Sequence, residues 1–198
     1  MQSERNNDIA AFRIAHAARP VVLFDLDGTL VETDAANTAA YRDAFRLHGL
    51  AGQVLRVPAG VRVTGGMVRA ALPSLTAEDL RVLSSAKAAA YARGLDLTRL
   101  GPACGDLRRV LRNRDRFARI VLLTESNARR AWETLRHHGL AGCFDEVVCN
   151  GGHGDKYANY FATHAVDPAD CFAWENESGK VQSAQRAGID IEHIRKVA

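Results

Sequence analysis

Four short, unbroken apolar runs set what this chain can fold into: Val21 to Phe24, Ile120 to Leu123, Val147 with Val148, and Cys171 to Trp174. A strand that is apolar at every position, with no polar alternation, is buried on both faces, as in a parallel sheet covered by helices on each side. Segments of helical period lie between the runs, at 106–113, 128–138, 157–164 and 181–187, and Gly139 and Gly188 follow two of them where a left-handed residue ends a helix. This βαβα order predicts an α/β, Rossmann-like doubly wound parallel sheet.

Residues 34–103 break the rhythm. They contain no clear buried strand and three helix-like stretches, at 35–48, 66–72 and 77–93, the last opened by a capping signal in which Thr76 precedes Asp79 by three residues. The expected layout is an N-terminal arm (1–19), a core domain (20–33 and 104–198) and a small inserted helical cap domain (34–103). Ligands of open α/β sheets bind beyond the carboxyl ends of the strands, so an insertion directly after the first strand is expected to lie over the site. Between 34 and 103 there are nine basic and five acidic residues, a surplus that would favour an anionic substrate and that a solvated helix face explains about as well.

Composition narrows the function. Of the 198 residues 47% are hydrophobic and 25% charged, which fits an ordinary globular protein and excludes disordered and fibrous classes. A formal charge of +3 is too small for an electrostatic footprint on nucleic acid, so no nucleic-acid partner is expected. No run approaches the roughly 20 apolar residues of a membrane span. Cys104, Cys143, Cys149 and Cys171 are too scattered for a disulfide framework, and Arg13 and His16 interrupt the one apolar stretch near the start. The reading is a soluble cytoplasmic monomer or dimer with reduced thiols. His137, His138, His153, Cys143 and Cys149 show no paired zinc-ligand spacing, and the glycines of 151–154 are spaced wrongly for a Walker A loop.

The chemistry gathers where the apolar runs end. The first continues as Phe24-Asp25-Leu26-Asp27-Gly28-Thr29-Leu30. Residues i and i+2 of an extended chain point to the same side, so Asp25 and Asp27 face one small space, where two carboxylates repel unless a cation or a shared proton intervenes. The second run ends Leu122-Leu123-Thr124-Glu125-Ser126-Asn127, the third is followed by Gly154-Asp155-Lys156-Tyr157, and the fourth ends Phe172-Ala173-Trp174-Glu175-Asn176-Glu177-Ser178-Gly179.

These four segments, in this order, resemble the motifs of the haloacid dehalogenase-like (HAD) superfamily, over a stretch from about Val21 to Ile191. The resemblance implies that Asp25 is the nucleophile that takes up a phosphoryl group and that Asp27 is the general acid and base. It implies that Thr124 holds a phosphoryl oxygen, that Lys156 offsets the charge of nucleophile and phosphate, and that Asp25, Asp27, Glu175 and Asn176 hold Mg²⁺. Two residues depart from the family pattern. Asn176 stands where an aspartate is usual, which removes one charge from the metal site unless Glu177 compensates, and Glu125 puts a negative charge beside the phosphate site.

In the inserted helices, Lys87 and Tyr91 resemble a Lys-x-x-x-Tyr pattern of C1-type caps, but the expectation is an exposed lysine and a packed tyrosine. Arg62, Thr64 and Gly65, with Gly66, are the candidate substrate-specificity contacts. The implied activity is an Mg²⁺-dependent phosphatase for a small phosphorylated metabolite, working through an aspartyl-phosphate. A sugar-phosphate mutase of the β-phosphoglucomutase kind, or a weakened member that binds a ligand or partner, shares the same motifs.

Overall fold

A computed structural model describes residues 19–50 and 63–197. Of the expectations above, Arg62 and almost all of the N-terminal arm lie outside those residues.

Five parallel strands form one sheet in the order β5-β4-β1-β6-β7: β1 (Val21–Phe24), β4 (Arg119–Thr124), β5 (Glu146–Cys149), β6 (Cys171–Glu175) and β7 (Ile194–Lys196). β1 lies at the centre, and its side chains divide as period 2 requires. Val22 and Phe24 join one core with Leu107, Val110, Leu122, Leu135 and Trp174, where the Phe24 and Trp174 rings stack at 4.5 Å. Val21 and Leu23 join the other with Val121, Leu123, Tyr157, Tyr160 and Ala173. Burial on both faces is the physical reason that these strands carry no polar alternation.

Helices α4 (Cys104–Arg112), α5 (Ala128–His137), α6 (Lys156–Thr163) and α7 (Ser178–Arg186) fall where the periodicity places them, within a few residues at each end. Gly139 (φ 68°) and Gly188 (φ 104°) adopt the left-handed conformation expected after two of them. Two features were not legible. β7 is a three-residue edge strand in which only Ile194 is buried, and Arg195 and Lys196 disguise it. A short antiparallel ribbon pairs β2 (Val31–Glu32) with β3 (Arg99–Leu100). It brings the two ends of the helical section together beside the exit of β1. Gly101 is required there, because a Cβ at that position would lie 2.5 Å from the Thr29 carbonyl oxygen.

The helical section contains α1 (Asp34–Leu47), α2 (Gly65–Ala71) and α3 (Ala77–Arg93). Thr76 and Asp79 form the expected reciprocal cap. Phe45, Val63, Val68, Leu72 and Leu83 make a separate small core, while Ala36, Ala40, Ala90 and Tyr91 lock α1 to α3. Among the described residues, no helix is long and apolar enough to cross a membrane.

Candidate active site

The sheet order places the carboxyl ends of β4, β1 and β6 side by side, and the chain segments that leave them converge. Asp25, Asp27, Glu125, Ser126, Glu175 and Asn176 line one cavity of about 690 Å³, with Tyr41, Thr64, Gly65, Lys87 and Tyr91 contributed by the helical section.

Asp25 and Asp27 face this cavity with different partners. The Asp25 carboxylate accepts Lys156 Nζ at 2.7 Å on Oδ1 and the Thr29 hydroxyl at 3.1 Å on Oδ2. The Asp27 carboxylate accepts Thr33 Oγ1 (2.6 Å) and Arg130 Nη2 (2.7 Å) on Oδ1, and Ser126 Oγ (2.6 Å) on Oδ2. Gly28 turns the chain away at once, with φ 81°, and a Cβ there would collide with the Asn176 side chain. The left-handed turn therefore favours glycine, which also leaves room for the Asn176 side chain beside it.

Lys156 begins α6, whose N-terminus Asp155 caps by accepting the Tyr157 and Ala158 N–H groups. The lysine is 1% exposed, and each of its three N–H donors has an acceptor: Asp25 Oδ1, Glu175 Oε1 at 2.6 Å and the Leu123 carbonyl at 3.0 Å. Burial opposes its charge, but Asp25 and Glu175 outweigh that effect and hold its pKa above the ordinary lysine value. The ammonium is therefore fixed as a cation. Burial, together with the neighbouring Asp25 charge, pushes the Glu175 carboxyl up, against the pull of Lys156 and of the Tyr157 hydroxyl that donates to it at 2.7 Å. Tyr157 itself is pushed well above an ordinary phenol by burial and by Glu175.

Thr124 is completely buried, and its hydroxyl accepts the Ser126 N–H at 3.1 Å. Asn127 caps α5 by accepting the Arg130 N–H. Thr64 caps α2 through the Met67 N–H and lines the cavity with Gly65. Lys87 departs from the expected exposed lysine: it is half-buried, with Nζ 5.1 Å from the Tyr41 ring centre and 5.5 Å from that of Tyr91. Tyr91 is packed, as expected.

The family description "haloacid dehalogenase-like hydrolase" matches residues 22–195. The chain belongs to this family. No protein of curated function matches it. Among solved structures, the HAD chain is similar to CbbY from Rhodobacter sphaeroides in complex with phosphate (18% identity, 87% of this chain and 84% of that one, TM-score 0.68). It is also similar to a putative beta-phosphoglucomutase from Thermotoga maritima (23%, 90% and 85%, 0.64) and to a predicted phosphoglycolate phosphatase from Haemophilus somnus 129PT (14%, 88% and 84%, 0.67). At these identities the likeness shows the fold, an α/β Rossmann-like sheet.

The two departures from the HAD motifs take different positions in this site. Glu125 is paired with Lys180 Nζ at 2.7 Å and accepts Asn150 Nδ2 at 3.2 Å, so its charge is offset inside the cavity wall. Asn176 Oδ1 lies 3.4 Å from the Thr29 hydroxyl that also reaches Asp25 Oδ2. Sequence reasoning did not foresee Arg130, Lys180, Thr33 or Tyr157. Each looks like an ordinary surface or packing residue along the chain, whereas Thr29 lies within the segment that leaves β1 with Asp25 and Asp27.

Proposed function

We propose that this HAD-family protein is a phosphomonoester hydrolase acting on a small phosphorylated metabolite through an aspartyl-phosphate at Asp25. The observation that carries the reading is the Asp25 carboxylate itself, at the floor of the cavity and bound to a buried, permanently charged lysine. A phosphate dianion approaching a bare carboxylate would be repelled, and Lys156 offsets that repulsion at the point of attack. Asp27, a carboxylate bonded to Arg130 at rest, first takes up a proton; an Asp25 oxygen then attacks phosphorus, the bond to the leaving oxygen breaks, and that oxygen takes this proton. Asp27, now a carboxylate, removes a proton from the water that cleaves the aspartyl-phosphate, and inorganic phosphate leaves.

Thr124 braces the segment that leaves β4, through its bond from the Ser126 N–H. Residues 34–103 act as the cap: Tyr41, Thr64, Gly65, Val68, Lys87 and Tyr91 form the cavity wall away from the sheet and keep bulk water from the intermediate.

The residues fit Mg²⁺. One hydroxyl hydrogen, that of Thr29, faces both Asp25 Oδ2 and Asn176 Oδ1, and Glu175 Oε2 is buried without a hydrogen-bond partner. A hard cation that keeps several of its waters suits such oxygens. Asp25 and Asn176 would hold it, with Glu175 behind them, and Asp27 keeps its side chain for proton transfer. The ion would neutralise charge on the transferring phosphoryl group.

Asn176 would bring the ion an oxygen but no charge. At an effective dielectric near 20, unit charges 4 Å apart interact by about 4 kcal/mol before desolvation. Asn176→Asp is therefore expected to tighten Mg²⁺ binding about tenfold or more by calorimetry, and to raise phosphate release at limiting Mg²⁺. Unchanged Mg²⁺ affinity would remove Asn176 from the metal site.

The function is tested by measuring inorganic phosphate across a panel of sugar phosphates, phosphoglycolate and nucleotides, with the organic product followed in parallel. Phosphate released in step with the dephosphorylated product supports the hydrolase. Isomerised sugar phosphate with no free phosphate would make the protein a mutase, and an inert native protein activated by Asn176→Asp would make it a binding protein.

A further inference from the structure

We infer that Arg130 is a positioning residue for Asp27, held in that role by the helical section. The inference rests on the hydrolase reading above. Arg130 lies in the first turn of α5, yet its guanidinium connects three other parts of the chain. Nη2 donates to Asp27 Oδ1 at 2.7 Å, Nη1 donates to Asn37 Oδ1 of α1 at 3.3 Å, and the group lies 4.1 Å from the ring centre of Tyr91 in α3. Both supports are themselves anchored. Asn37 donates to the Val63 carbonyl at 2.9 Å, and the Tyr91 hydroxyl lies 3.2 Å from Thr134 Oγ1, on the turn of α5 that follows Arg130.

The pair is largely out of water, with side chains 13% and 11% exposed, so the attraction between guanidinium and carboxylate is weakly screened. Thr33 and Ser126 also donate to Asp27, but hydroxyls rotate to follow a moving acceptor. A planar guanidinium held by Asn37 and against a tyrosine face cannot follow. Among the donors to Asp27 whose distances are given above, Arg130 is therefore the one that fixes which way the carboxylate faces.

Proton transfer requires Asp27 to stay within hydrogen-bond reach of the leaving oxygen and of water, and displacement by about 1 Å is enough to slow such a step about 10²-fold.

The test is a double-mutant cycle on phenyl phosphate, reading phosphate release for native protein, Arg130→Gln, Arg130→Lys, Asp27→Asn and the two Arg130 variants combined with Asp27→Asn, with thermal unfolding of each. Arg130→Gln is expected to lower kcat about 10²-fold with KM changed less than about threefold, and Arg130→Lys to recover about tenfold of the loss. In the Asp27→Asn background either replacement is expected to change kcat less than about threefold, because the group it orients is already gone. Equal losses in both backgrounds would mean that the guanidinium meets the substrate itself, and would overturn the inference, as would a fully active Arg130→Gln. If Arg130→Gln unfolds, the lysine cycle gives the same decision. A native protein that releases no phosphate from any ester would remove the hydrolase reading together with this one, whereas an additive cycle in an active enzyme removes only the role of Arg130.

Discussion

Replacing Asp25 by Asn is expected to lower phosphate release by about 10⁴-fold or more while leaving the protein folded. An amide cannot take up the phosphoryl group, and loss of an enzyme's nucleophile has effects of at least this order. The fold should survive because the buried cluster holds two carboxylates on one ammonium. With Asp25 neutral, Lys156 keeps Glu175 Oε1 and the Leu123 carbonyl, and Glu175 is freed from the Asp25 charge that helps to push its pKa up. The melting temperature should therefore move by only a few degrees. Hydrolysis of an aryl phosphate at the native rate by this variant would refute the nucleophile assignment. A fall of more than about 10 °C would show that the lost activity came from the fold.

The larger structural effect is expected from Lys156→Met. This substitution is close in volume but leaves Asp25 and Glu175 facing each other in the interior with no cation between them. Removing one partner of a buried ion pair costs about 3–5 kcal/mol, and at this chain length each kcal/mol corresponds to about 2–4 °C. Thermal unfolding should show a fall of about 10 °C, with phosphate release lost as well. Lys156→Met/Glu175→Gln separates the two effects. Removing one of the stranded charges should return much of the stability, but activity should stay absent because nothing offsets the charge of Asp25 and phosphate. If Lys156→Met melts within about 2 °C of native protein, the ammonium is not what holds these strand ends together.

The two experiments divide the roles of one cluster. Asp25 is expected to matter for chemistry and little for stability, and Lys156 for both. The difference follows from counting charges: the cluster has one carboxylate more than its cation can pair, so a lost carboxylate relieves it and a lost cation does not.

The sequence by itself determined four of the five sheet strands and which polar residues follow them. Strands buried on both faces must be apolar throughout, so β1, β4, β5 and β6 stand out as runs, and the polar residues that end β1, β4 and β6 and follow β5 are local facts. The reciprocal cap of Thr76 and Asp79 and the left-handed glycines 139 and 188 were legible for the same reason, since each is settled within a few residues. What only the tertiary structure decided is pairing. Arg130 reaches Asp27 across 103 residues and Lys180 reaches Glu125 across 55. Neither Arg130 nor Lys180 carries a mark along the chain that distinguishes it from a solvated cation. Their partners follow from β1 lying between β4 and β6, which sets the exits of three strands side by side and folds the helices between them over the same few carboxylates. Local patterning specifies where a strand ends, but which charges meet there depends on strand order, a long-range property that hydrophobic burial selects for the whole sheet at once.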